Sequence, residues 1–138
     1  MTEDIIYLIK TVADKNSAAA DADLKRHGLT FSQLRVLGYL HDKGGAAPQR
    51  DIQRHMEVSH PTVVGIVGRL EKNGFVVTYT DEGDRRNKIV RMTVKAGRLG
   101  DELETGRQKS AAELTRGLTE EEIGELGRLL RILAKNVE

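Results

Sequence analysis

Cysteine is absent from the 138-residue chain. This excludes disulfides, thiolate metal sites, thiol nucleophiles and cysteine-based redox sensing. Aromatic residues are scarce, at 4%, and tryptophan is missing. The aromatics present are Tyr7, Phe31, Tyr39, Phe75 and Tyr79. A core must therefore be built from Leu, Ile, Val and Ala, which suits helices. No apolar run approaches the roughly 18 residues that a membrane span requires. Glu3 and Asp4 precede the first apolar residues, unlike a secretory signal, so a cytoplasmic location is expected. Net charge is also nearly absent, at +1. Its distribution is uneven. Residues 48–98 carry ten Lys/Arg against six Asp/Glu, and the remainder twelve against fifteen. A basic middle between acidic ends suits an anionic partner for the middle. A chain of this length buries about two-thirds of its unfolded surface, enough for an independent core.

What is present reads as a series of helices. Ile5, Leu8, Ile9 and Val12 have helical spacing, and the first helix runs to about Arg26, with His27-Gly28 as its stop. Thr30 and Gln33 form a capping box for a second helix, with Leu29 and Leu34 as a hydrophobic staple. Gly44-Gly45 ends that segment. Pro48 suits the first turn of a short third helix, in which Ile52 and Met56 face inward. After the turn at Glu57-Val58, Ser59 caps a fourth helix with Pro61 in its first turn. Two short helices joined by so short a turn form a helix-turn-helix. The runs Phe75–Thr80 and Ile89–Met92 flank a polar tip and predict a β-hairpin. A fifth helix is expected from Thr93 to about Arg116. A sixth is marked by the Thr119–Glu122 capping box and a heptad-like seam of Ile123, Leu126, Leu130, Leu133 and Val137.

The fourth helix is the most informative. Val63, Ile66, Val67 and Leu70 form one stripe, and Pro61, Gly65, Gly68 and Lys72 lie opposite, flanked by Thr62, Val64 and Arg69. Glycine inside a helix costs up to about 1 kcal/mol relative to alanine, so two on the exposed side suggest close backbone approach by a partner. The helix start also favours a phosphate, with Ser59, His60 and Thr62 as donors. The hairpin tip places Arg85, Arg86 and Lys88 on a turn, with Asp84 spaced to brace Arg86. Arginine in a narrow minor groove meets strong negative potential.

The stretch from Val58 to Val76, VSHPTVVGIVGRLEKNGFV, resembles the recognition-helix segment of MarR-type transcriptional regulators. So do Asp84-Arg85-Arg86, Met92-Thr93 and Gly97 after it, and the order of elements over nearly the whole chain. The resemblance implies a mainly α fold with a small β-hairpin wing. In it, a winged helix-turn-helix core (29–98) stands between N-terminal (1–28) and C-terminal (99–138) dimerisation helices. It implies a homodimer that places recognition helices in successive major grooves of a pseudo-palindromic double-stranded DNA operator, and wings in flanking minor grooves. By position, Arg86 matches the family's minor-groove arginine and Asp84 its brace. The expected DNA-contacting set is Ser59, His60, Pro61, Thr62, Gly65, Arg69, Lys72, Asp84, Arg85, Arg86 and Lys88. The expected dimer contacts are Ile5, Ile9, Ile123, Leu126, Leu130 and Leu133. Many relatives carry longer polar residues where this chain has Val64 and Gly65. Thymine methyl contacts and DNA shape are therefore expected to carry more of its specificity.

The resemblance further implies repression relieved by a small aromatic or phenolic anion bound between the dimer helices and the DNA-binding lobe. Tyr7, His27, Tyr39 and His41 are the ring candidates for contacting it. His27, His41, His55 and His60 offer no pair at metal-binding helical spacing, so no metal or cofactor is expected. No nucleophile elbow, phosphate loop or His–carboxylate constellation suggests an enzyme. The competing expectation is a winged-helix module that binds protein instead of DNA.

Overall fold

A computed structural model describes residues 2–138, apart from the side chains of residues 2, 3 and 19. The elements run α1 (Thr2–Arg26), α2 (Phe31–Asp42), β1 (Ala46–Pro48), α3 (Gln49–Met56), α4 (His60–Lys72), β2 (Val76–Thr80), β3 (Lys88–Met92), α5 (Val94–Leu114) and α6 (Glu120–Asn136). They divide into two compact units, Met1–Leu103 and Glu104–Glu138.

In the first unit the core is aliphatic, as the shortage of aromatics requires. Val36 and Leu40 of α2, Ile52 of α3, Val63, Val67 and Leu70 of α4, Val76 of β2 and Val90 of β3 are almost wholly buried. Each such side chain contributes about 1.5–3 kcal/mol of transfer free energy. The capping box of α2 forms as the residue types dictate. Gln33 N–H donates to Thr30 Oγ1 at 3.2 Å, and Thr30 N–H to Gln33 Oε1 at 3.1 Å. Between α3 and α4, Glu57 takes the left-handed conformation, φ 55°. That conformation costs a non-glycine residue about 1–2 kcal/mol, and it turns the chain sharply into α4.

The expected hairpin is part of a three-stranded antiparallel sheet, ordered β1-β3-β2. Ala47 and Thr78 both register with Val90. Strand β1 is too short for a two-residue period to show in sequence. Pro48 is not inside the third helix but caps it in extended conformation, φ −62° and ψ 142°, while pairing with Ile89. On an edge strand its missing N–H costs the ladder nothing. At the start of α5, Thr93 Oγ1 accepts from Ala96 N–H at 3.3 Å. That helix ends at Leu114, two residues before the expected Arg116, and buries only Ala96 and Leu99.

In the second unit, Gly117 (φ 92°) turns the chain between helices. The α6 capping box is complete, with Glu122 N–H donating to Thr119 Oγ1 at 3.1 Å and Thr119 N–H to the Glu122 carboxylate at 2.9 Å. The Thr119 backbone N–H, then its side chain, holds the Glu122 carboxyl below its ordinary value of 4.5. A lowered carboxyl pKa stabilises the folded cap above pH 4.5, and the contribution is lost as pH falls through the lowered value. The Thr119 amide resonance should therefore titrate in NMR with a midpoint below 4.5; a midpoint at or above that value would contradict the cap. No residue of α6 is buried within the chain. Among the described residues no helix is long and apolar enough to cross a membrane.

Candidate nucleic-acid interface

Helix α4 divides as its sequence implies. Val63, Ile66, Val67 and Leu70 are buried, while His60, Pro61, Thr62, Val64, Gly68, Arg69 and Lys72 are exposed and Gly65 is half-buried. A Cβ at Gly65 would meet only the Arg69 guanidinium, at 3.8 Å, and one at Gly68 nothing within 4 Å. Intramolecular packing therefore does not require either glycine. At the helix start, Ser59 Oγ accepts from Thr62 N–H at 3.3 Å and shares a 2.8 Å hydrogen bond with the Thr62 hydroxyl. Val63 N–H donates to the Ser59 carbonyl. Pro61 has no N–H, so of the first amides only that of His60 is left to face a phosphate. The helix dipole and the His60 ring remain.

The wing tip is a folded turn. Asp81 N–H donates to Asn87 O at 2.9 Å, and Asn87 N–H to Asp84 O at 2.9 Å. Asp84 Oδ1 accepts from both the backbone N–H (3.1 Å) and the side-chain Nε (3.3 Å) of Arg86. The Arg86 side chain is 93% exposed and Asp84 is 40% exposed. An ion pair so exposed contributes little stability; its effect is to aim the guanidinium outward. Arg85 and Lys88 are exposed beside it.

Four contacts between residues distant in sequence hold these parts together. Glu71 on α4 accepts from both the N–H (2.9 Å) and the hydroxyl (2.7 Å) of Thr78 on β2. Thr93 Oγ1 donates to Gly74 O at 2.6 Å, and Lys95 Nζ donates to Asn73 O at 2.6 Å, tying the start of α5 to the end of α4. Arg91 donates to the Tyr79 hydroxyl at 3.1 Å across the wing. Such pairs lie 7 to 22 residues apart in ordinary residue types, and no local spacing rule singles them out.

A cavity of about 500 Å³ lies where α1 ends and α5 begins. Arg26, His27, Lys95 and Arg98 surround an apolar floor that includes Phe75 and Leu99. Lys95 Nζ stands 4.6 Å from the Phe75 ring centroid, and His27 Nε2 lies 3.5 Å from the Glu102 carboxylate. Of the four ring candidates only His27 lines this cavity. Tyr39 stacks on His55 at 4.4 Å between centroids, while His41 and Tyr7 are exposed. Ile5 and Ile9 on α1 are also exposed, as are Ile123, Leu126, Leu130 and Leu133 on α6.

Residues 27–87 match the sequence model of the MarR family. The chain is similar in structure to the YusO protein of Bacillus subtilis, with a TM-score of 0.87 and 25% identity over 97% of this chain and 94% of that one. It is also similar to Staphylococcus aureus MepR in a complex with DNA, with a TM-score of 0.79 and 25% identity over 96% and 98% of the two chains. A MarR family protein from Bacillus stearothermophilus shares the fold, with a TM-score of 0.80 and 24% identity over 99% and 94%. Taken together, residues 27–87 are similar to the MarR family, and the chain shares the fold of these structures, with an exposed α4 face and an arginine-tipped wing.

Proposed function

We propose that the protein is a homodimeric repressor that binds a pseudo-palindromic duplex operator and loses affinity when a small aromatic or phenolic anion binds it. The observation that carries this reading is the pairing of an exposed, glycine-opened α4 face with an outward guanidinium at the wing tip, Arg86, held by Asp84. Thr62, Gly65, Arg69 and Lys72 present hydroxyl, backbone and cationic groups to one major groove, with Ser59, His60 and Pro61 at the helix entrance. Arg86, with Arg85 and Lys88, reaches an adjoining minor groove or its phosphates. The likeness to DNA-bound MepR supports the duplex as partner.

The remaining parts of the proposal rest on two further features. Ile5 and Ile9 on α1, and the α6 seam of Ile123, Leu126, Leu130 and Leu133, are apolar faces left exposed in a single chain, which favours burial against a second copy. The cavity suits an anion that carries a ring, with Arg26 and Arg98 for its charge and Val94 and Leu99 for its apolar part, while the Glu102 carboxylate on the lining is paired with His27. An anion lowers DNA affinity only if it binds better to the conformer that fits DNA less well.

The test is selection of duplexes from a random pool, followed by titration of the winner across salt concentrations. The winner should contain half-sites about one helical turn apart. Its affinity should fall steeply with salt, because cations on the protein release counterions from phosphates. An aromatic carboxylate such as salicylate should release the bound duplex. Failure to enrich any duplex, or a salt slope near zero, would overturn the reading in favour of a protein-binding module.

A further inference from the structure

Glu71 is out of place on a helix that faces DNA. On a wheel of 100° per residue it lies beside Val64, between the buried stripe and the exposed face. A carboxylate there repels nearby phosphates, yet it does not pair with any of the cations on its own helix. It is committed instead to Thr78, accepting two hydrogen bonds on one oxygen. Strand β2 is an edge of the sheet, so the Thr78 N–H has no further strand to bond. Glu71 takes the place of that strand.

The position of this tie matters mechanically. The wing is anchored at its base by the buried Phe75 and Val76, and Val90 on β3 is buried at the level of Thr78. A strand advances about 3.3 Å per residue, so Thr80 lies about 13 Å beyond Val76. A swing of about 10° about Val76 would move the strand end by about 2 Å, and Arg86 lies on the turn beyond it. The minor groove is only about 6 Å wide, so play of that size is a large error for an inserted side chain. Val90 holds β3 at this level, and Glu71 adds the matching hold on the outer edge of β2, halfway from Val76 to Thr80.

We propose that Glu71 is a positioning residue for duplex recognition: by gripping Thr78 it sets the angle between the wing and α4, so that Arg86 and the α4 face enter their grooves together. The inference rests on the DNA-binding reading above and adds a role for a residue that need not touch DNA.

Two substitutions separate the roles of charge and grip. Glu71→Ala and Glu71→Gln both remove the negative charge, but only glutamine keeps an oxygen that can accept from Thr78. Affinity is measured for the duplex that the wild-type protein selects and for a mixed-sequence duplex, at one salt concentration. The alanine variant should lose roughly tenfold on the selected duplex, while its affinity for the mixed duplex stays the same or rises. Glutamine should recover most of the loss. In an Arg86→Ala background the alanine penalty should nearly vanish, because no inserted guanidinium is left to align. Equal affinity of the alanine and glutamine variants for the selected duplex would overturn the proposal, as would an undiminished penalty without Arg86. Should the alanine variant melt early by circular dichroism, Thr78→Val, which removes the hydroxyl that Glu71 accepts from, takes its place: it should weaken binding to the selected duplex with Arg86 present and not in the Arg86→Ala background, and an unchanged affinity with Arg86 present would overturn the proposal. A wild-type protein that prefers no duplex would overturn the functional reading itself, a result distinct from any of these.

Discussion

Arg86→Ala should weaken binding to the selected operator by about 1–3 kcal/mol, a loss of roughly 5- to 150-fold. The side chain is almost fully exposed, so its removal leaves no cavity and exposes no core. Its guanidinium is also held before DNA arrives, through Asp84 Oδ1 at 3.3 Å, while the same oxygen fixes the Arg86 backbone N–H at 3.1 Å. A side chain already ordered gives up less entropy on binding than a mobile lysine does. The groove also supplies what bulk solvent does not, a narrow channel of focused negative potential. Fluorescence anisotropy at fixed salt, on operator and mixed-sequence duplexes, measures the effect. The loss should be greater on the operator. An unchanged affinity would remove Arg86 from the interface. An equal loss on both duplexes, with the salt slope reduced by about one, would make it a phosphate contact and end the minor-groove assignment.

The parts of this molecule that were legible in sequence are those whose cause is local. Thr30 with Gln33, Ser59, and Thr119 with Glu122 mark helix starts because each side chain satisfies an amide only three residues away. The stripe from Val63 to Leu70 marks the buried side of α4 because a helix repeats every 3.6 residues, and that assignment also exposes the candidate contact face. The Asp84–Arg86 brace was legible for the same reason, spanning two residues. Strand β1 was not, since three residues ending in proline carry no period and pair only because β3 offers them a free edge. The Glu71–Thr78 and Lys95–Asn73 ties were equally hidden. They exist only once the chain has folded back on itself, and a glutamate or lysine on a helix is ordinarily a solvated residue. Tyr39 shows the converse: the resemblance made its ring a candidate for contacting a ligand, but the fold stacks it on His55.

Leu130→Glu should separate the proposed dimer into single subunits. Within one chain no residue of α6 is fully buried, and Ile123, Leu126, Leu130 and Leu133, spaced by three, four and three, remain 40–44% exposed. A free-standing helix of this kind is unstable unless its apolar stripe is covered. In a twofold dimer any substitution appears twice. A glutamate on that seam must either be buried without a cation or push the helices apart. An uncompensated buried charge costs about 3–5 kcal/mol, which raises the dimer Kd by roughly two to four orders of magnitude. Sedimentation equilibrium at micromolar concentration should then show the single-subunit mass of 15.3 kDa in place of twice that value. The aliphatic core around Leu40, Ile52 and Val90 does not include Leu130, so the first unit should keep its fold and its circular dichroism largely unchanged. Operator affinity should nevertheless collapse, because each half-site would have to be filled by a separate binding event instead of one tethered to its neighbour. A variant that sediments as an intact dimer would remove α6 from the interface and leave its apolar seam without an explanation.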